Sequence, residues 1–194
     1  GGGGAGMEAA KAVADQGFTV CLVEKSGTLG GVARKLQSTW QGESISDYLF
    51  GLIQKVYDHE HIRLFLHTET VATTGVLGNF STDLITGKER LTATTITHGA
   101  TVIATGGNEA IPTEYLYGAH PNVMTQLELD AKWRKDRDQF KEMQTAIFIQ
   151  CVGSRTPERP YCSRVCCTHS LKNAIALKEM NPDINVFVLY RDIR

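Results

Sequence analysis

Four of the five cysteines fall between positions 151 and 167, in the spacing C-x10-C-x3-C-C: Cys151, Cys162, Cys166 and Cys167. Thiols at that density fill a core, form disulfides or ligate metal. Core filling does not account for four of them at one loop and helix start. Adjacent cysteines such as Cys166 and Cys167 seldom pair with each other. A single tetrahedral zinc needs sulfurs less than ~4 Å apart, usually from two tight C-x2–4-C knuckles. The spacing here has no such pair. Adjacent side chains that point apart suit the wider corners of an iron–sulfur cube better, with zinc as the serious rival. Arg155, Arg159, Arg164, His169 and Lys172 surround the thiols, and Glu158 is the only acid in that run. That charge favours an anionic metal–thiolate centre without choosing the metal.

The elements around the thiols predict where they sit. AIFIQ, ending just before Cys151, is an apolar run of strand type; LKNAIALKEM has helical periodicity; VFVLY is a second strand. Strand, loop, helix and strand make a βαβ unit. In a dinucleotide fold its first loop reads G-x-G-x-x-G and holds a pyrophosphate against the helix N-terminus. Here cysteines stand in that loop, so a nucleotide crevice is expected to be rebuilt around sulfur.

An intact glycine motif opens the chain, GGGGAGMEAAKAVADQGFTVCLVEK. Gly1 makes the tight turn, Gly3 lets a pyrophosphate approach the backbone, and Gly6 lets helix and strand pack closely; Gly4 and Ala5 complete the turn. Met7 to Gln16 reads as a helix ended by Gly17, and Phe18 to Val23 as a strand. Glu24 closes the strand where a carboxylate accepts ribose hydroxyls, with Lys25 beside it. The motif requires a strand before it, and Gly1 is the first residue. The sequence therefore reads as a fragment, expected to be inactive in isolation.

Ser44 to His59 reads as a helix with Tyr48, Leu49, Leu52, Ile53 and Val56 on one face. Ile62 to Ile96 reads as a strand returning to the first sheet, IRLFLHTETV, then a small meander in which FSTDLIT meets LTATTIT across Gly87. Ala100 to Gly107, ATVIATGG, reads as another strand. Leu127 to Met143 predicts a charged helix packed through Trp133 and Phe140. Cys21 reads as core. The fold class is α/β, a Rossmann-like dinucleotide-binding unit followed by the start of a second, nicotinamide-type Rossmann-like βαβ unit. Residues 1–110 form the first domain with its meander and lack the first strand. Residues 111–144 connect, and 145–194 begin the second unit.

At 194 residues and 42% hydrophobic, the chain can bury a sizeable core. Its net charge is −1, with no basic stripe, so nucleic acid is not indicated. No apolar run approaches the ~20 residues of a membrane span. Free thiols suit a reducing compartment, and cytoplasm is the default.

QCVGSR followed by ERPYCSRVCCTHSLKNAIALKEMNPDINVFVLYRDIR closely resembles the A subunit of heterodisulfide reductase. The likeness is dense over 146–194, clear at both nucleotide motifs and weak between 32 and 100. It implies a cytosolic flavoprotein in which Cys151, Cys162, Cys166 and Cys167 ligate a [4Fe–4S] cluster. It implies that Gly30 and Gly31 pass beside the FAD phosphates and that Val71 touches the adenine through its backbone. Ala104, Thr105 and Gly106 match the A-T-G motif of this flavoprotein class. The activity implied is electron transfer between flavin and iron–sulfur clusters, with bifurcation at the flavin as a further implication. The partners implied are other oxidoreductase subunits, heterodisulfide reductase B/C-like and hydrogenase- or ferredoxin-linked. One departure matters: many such proteins carry further cysteines and an inserted ferredoxin module, yet no cysteine lies between Val32 and Gln150. The alternative is a pyridine nucleotide-disulfide oxidoreductase-like flavoprotein with a structural zinc site.

Overall fold

The computed structural model describes residues 1–87 and 92–194. Two compact units emerge, one of Gly1–Arg34 with Ile45–Gly107 and the other of Lys35–Ser44 with Asn108–Arg194.

In the first unit, helix α1 (Gly4–Ala14) leads into strand β1 (Val20–Val23), and helix α2 (Ile45–Tyr57) into strand β2 (Ile62–Phe65). Gly17, with φ of 86°, takes the left-handed conformation that ends α1, as the sequence predicts. β1 and β2 pair in parallel, Val20 opposite Ile62 and Val23 opposite Phe65. Met7 and Ala10 of α1, Leu22 of β1, and Leu49, Leu52 and Val56 of α2 form one apolar core. Tyr48 leaves the predicted face. It is 54% exposed, and its hydroxyl donates to Glu8 at 2.5 Å, because a phenol with a carboxylate in reach does better at the surface.

The long strand predicted from Ile62 breaks at His67, whose φ is 50°. Strand β3 (Thr68–Val76) therefore leaves the parallel pair and joins β4 (Asn79–Thr86) and β5 (Thr92–His98) in an antiparallel sheet of order β3-β4-β5. That is the expected meander. Leu91, the first residue of the predicted LTATTIT run, lies outside the described residues. The strand predicted over Ala100–Gly107 is not formed: this segment is irregular, with Val102 and Ile103 65% and 83% exposed. A strand is defined by its ladder, and no strand among the described residues pairs with it.

In the second unit, helix α3 (Gln126–Lys135) starts with a capping box. Thr125 accepts from the Glu128 amide, while the Glu128 carboxylate accepts from Thr125 N–H. The helix is shorter than the predicted Leu127–Met143, because Asp136 turns extended and a 3-10 turn follows at Asp138–Phe140. Strand β6 (Thr145–Ile149), helix α4 (Cys166–Met180) and strand β7 (Asn185–Leu189) form the βαβ unit, with the strands parallel and Ile147 opposite Phe187. Leu129, Trp133, Phe140, Phe148 and Leu177 pack into its core, and the Trp133 and Phe140 rings stack at 5.7 Å. Residues 111–144 thus contribute core to this unit. Lys35–Ser44 is tied to it by Gln37 Nε2 donating to the Asp130 carbonyl at 3.2 Å and Arg134 to the Lys35 carbonyl at 2.6 Å.

Candidate functional site

The glycine turn is packed as tightly as its spacing predicts. A Cβ on Gly6 would lie 1.8 Å from the Gly1 carbonyl oxygen, and one on Gly1 would lie 2.2 Å from the Ala104 oxygen. Ala104 of the A-T-G segment is thereby placed against the turn, with Thr105 and Gly106 following at the surface. Gly3 and Gly4, in contrast, have nothing within 4 Å of the space a Cβ would take. Their open side is where a ligand can approach the backbone. The N-terminus of α1 has no side-chain cap and no acid in its first turn. Its leading amides, at Gly4, Ala5 and Gly6, are therefore available to an anion.

Two further segments close on that turn. Gly30 N–H donates to the Gly2 carbonyl at 2.7 Å, and a Cβ on Gly31 would lie 3.1 Å from the Gly3 Cα. The pair has φ of 113° and 52°, a run that glycine adopts without strain. Glu24 lies at the end of β1 with one carboxylate oxygen accepting Gly2 N–H at 2.6 Å and the other Ser26 N–H at 2.7 Å. Its partial burial alone would raise the carboxyl pKa, but those amides hold it below the usual carboxylate range. Each oxygen keeps a lone pair for a ribose hydroxyl. Sequence reasoning missed Glu24's part in shaping the glycine turn, because the Gly2 contact spans 22 residues.

Val71 occupies a special position. The register runs Thr70 opposite Leu84 and then Ala72 opposite Asp83, so Val71 is the extra residue of a β-bulge. A bulge leaves that residue's backbone outside the ladder and available to another partner. Val71 and Lys25 line one hollow of about 280 Å³ with His67, Glu69, Thr70 and Ile85. Several features that suit a dinucleotide come together in this unit. They are uncapped helix amides, a carboxylate at a strand end, and a bulged strand residue beside a hollow.

The thiols lie where the βαβ pattern predicts, Cys151 just past β6, Cys162 in the loop, and Cys166 and Cys167 in the first turn of α4. All four are free thiols, and Cys167 is buried. The loop is strained, with φ of 63° at Cys151, 58° at Arg155 and 61° at Arg164. Left-handed backbone at such residues costs about 1–2 kcal/mol each. Such strain collects where a ligand or switch is held. Among the described residues, no three His, Cys, Asp or Glu side chains are grouped to hold a metal ion. The four sulfurs are therefore brought to one end of the βαβ unit but not into single-ion geometry. As a donor set, four free thiols, two in a loop and two in a helix first turn that carries no acid, fit an anionic cluster.

The charge around them differs from the sequence reading, which found one acid. Asp130 of α3, 2% exposed, accepts His169 Nε2 at 2.8 Å and Lys172 Nζ at 3.1 Å. Burial raises its carboxyl pKa, and the hydrogen bonds and positive charge on that side, from His169 and Lys172, more than offset this and depress it. Asp192, just past β7, pairs with Arg155. Three of the five basic side chains are thus already matched by acids 37 to 42 residues away in sequence, at separations no local pattern reveals.

Residues 1–149 match the pyridine nucleotide-disulphide oxidoreductase family. The chain belongs to that family. Among curated relatives, it is 30% identical to the A subunit of the H(2):CoB-CoM heterodisulfide,ferredoxin reductase of Methanothermobacter marburgensis, over all of this chain and 43% of that protein. It is 28% identical to the second of the iron-sulfur A subunits of the CoB--CoM heterodisulfide reductase of Methanopyrus kandleri, over the same shares. The chain therefore spans less than half the length of these relatives. The first alignment runs over 285 positions against 194 residues here, so that relative carries additional residues within the matched range. Among solved structures, the L-proline dehydrogenase of P. horikoshii superposes with a TM-score of 0.55 at 19% identity, over 97% of this chain and 34% of that one. That likeness shows the fold: mixed α/β with parallel strand pairs, consistent with Rossmann-like units. No helix among the described residues is long and apolar enough to cross a membrane.

Proposed function

We propose that this chain is the FAD-binding and [4Fe–4S]-binding part of an oxidoreductase subunit of the heterodisulfide reductase A type, passing electrons between flavin and iron–sulfur clusters. The observation that carries the proposal is the contrast between two helix starts. The first is lined by glycines and amides, whereas the second carries two free thiols in its first turn and two more in the loop that leads to it. In the first unit Gly1, Gly3, Gly4, Ala5, Gly6, Gly30 and Gly31 surround the diphosphate, Glu24 holds the ribose, Lys25 and Val71 bound the adenine, and Ala104, Thr105 and Gly106 back the turn. In the second, Cys151, Cys162, Cys166 and Cys167 hold the cluster. The flavin supplies the exchange between two-electron and one-electron chemistry; the residues named here bind it, orient it and exclude its neighbours. Single-ion zinc demands closely grouped sulfurs, whereas a cubane spreads its thiolates over wider corners. Free thiols fit a reducing cytoplasm, and the partners would be further oxidoreductase subunits that exchange electrons with the cluster; bifurcation at the flavin is the finer form of this reading.

The test is anaerobic purification of the intact protein, with flavin, iron and zinc measured together with the absorption spectrum. FAD and about four irons per chain are expected. Stoichiometric zinc without iron would give the second half a structural metal role and withdraw the electron-transfer reading.

A further inference from the structure

The loop between β6 and α4 sets donors against its own thiols. The Ser163 hydroxyl lies 2.8 Å from the Cys166 sulfur, Arg164 N–H donates to the Cys162 sulfur at 3.3 Å, and Arg155 Nη1 lies 4.0 Å from the Cys151 sulfur. Each donor is within four residues of the thiol it meets. We propose that Ser163 and Arg155 tune the cluster held by these cysteines, raising its reduction potential through the Cys166 and Cys151 sulfurs; this rests on the cluster assignment above.

The chemistry follows from the charge on sulfur. In the protein without metal, either partner of the Ser163–Cys166 pair can donate. A thiolate bound to iron has no proton, so in the loaded site the hydroxyl must be the donor. Reduction by one electron increases the negative charge shared by iron and sulfur. A donor at a sulfur therefore stabilises the reduced cluster more than the oxidised one, and the potential rises. Ser163 is exposed, which weakens its bond through competition with water.

Arg155 acts by a second route. Its guanidinium is held by the Asp192 carboxylate, and its own carbonyl accepts from Arg191 Nη1 at 2.8 Å. The side chain is only 22% exposed. Asp192 neutralises part of the charge, so what reaches Cys151 is a short-range dipole with its positive end toward sulfur. The Arg164 amide completes the set as a backbone donor that no side-chain substitution removes.

The test is a redox titration of the cluster in the intact, anaerobically purified protein, followed by electron paramagnetic resonance, with iron counted in parallel. Ser163→Ala should keep its iron and shift the midpoint potential downward, and Ser163→Thr should restore it. Arg155→Gln should also shift it downward, and the double variant further than either single one. A structural role alone would change iron content or stability without this ordered shift and its rescue. Full iron with an unchanged or raised midpoint in Ser163→Ala and Arg155→Gln would overturn the proposal. Should one variant lose its cluster, the other and the Thr rescue decide it. An intact protein without iron would instead remove the cluster assignment beneath it.

Discussion

The turn before α1 and the loop before α4 start from the same plan, a chain entering a helix whose N-terminus has neither a side-chain cap nor an acid in its first turn. They open that helix start to an approaching anion in different ways. The first removes side chains: glycines at positions 1 and 6 allow backbone atoms to touch, and those at 3 and 4 leave an open face. The second adds side chains, with thiols at four positions and hydroxyl, amide and guanidinium donors beside three of them. The partners differ too. The glycine turn is held by the Glu24 carboxylate and by the backbone of Gly30 and Ala104, whereas the helix bearing Cys166 and Cys167 is braced by an ion-paired carboxylate, Asp130, 39 and 42 residues away from His169 and Lys172. A glycine site is thus sensitive to any added atom, and a thiol site to the loss of one.

Adding atoms to the first site should have the largest effect. Gly6→Val places carbon where the Gly1 carbonyl oxygen already lies, 1.8 Å from the first added atom. The turn must open, and FAD retention should fall by about 3 kcal/mol or more, with iron in the second unit unchanged. Flavin content after gel filtration reads it directly. Retention equal to the unsubstituted protein would mean that the turn is not close-packed.

Removing a brace from the second site comes next. Asp130→Ala leaves His169 and Lys172 half-buried without their counter-charge, a loss of about 3 kcal/mol in unfolding free energy. The same carboxylate gives a pH signature. Its folded pKa lies below its unfolded value, so its contribution is full above the ordinary carboxylate range and is lost as pH falls through the depressed value. Denaturant unfolding between neutral and acidic pH should show that loss, and Asp130→Asn should lack it. Matching acid profiles would contradict the Asp130 assignment.

Glu24 is a smaller case, because its change swaps one group without adding bulk. Glu24→Gln retains a single acceptor and turns an amide donor toward Gly2 or Ser26 N–H. FAD affinity should drop by about 1–3 kcal/mol, measured by flavin titration. Undiminished affinity would reduce Glu24 to a solvated strand end. The smallest effect belongs to Thr125→Ala, which removes half of the α3 capping box and should cost about 1 kcal/mol in thermal unfolding, with no change in either cofactor.

The same comparison explains what could be read from sequence. Where local spacing decides structure, the reading held: Gly17 ending α1, the parallel strands flanking α4, and the placement of the four thiols between β6 and the first turn of α4. It failed where a long-range partner decides. IRLFLHTETV looks continuous, and only the turn at His67 separates a strand that pairs with β1 from one that pairs with β4. Ala100–Gly107 has strand composition, but composition does not supply a ladder. Tyr48 has apolar periodicity and a hydroxyl whose partner, Glu8, is 40 residues away. Asp130 adjoins the apolar Leu129 in a charged helix, and nothing in that helix announces His169 or Lys172. The bulge at Val71 is invisible in TETVATTGV; only the register against β4 exposes it.

One separation is central to the proposed function: flavin in the glycine unit and iron in the thiol unit. Paired flavin and iron analysis of Cys166→Ala and Cys167→Ala in the intact, anaerobically purified protein tests it most directly. Each variant should lose about four irons per chain, the whole complement of one cluster, and keep its FAD. Retained iron, or NAD(P)H binding tightly at the loop that carries these cysteines, would contradict it.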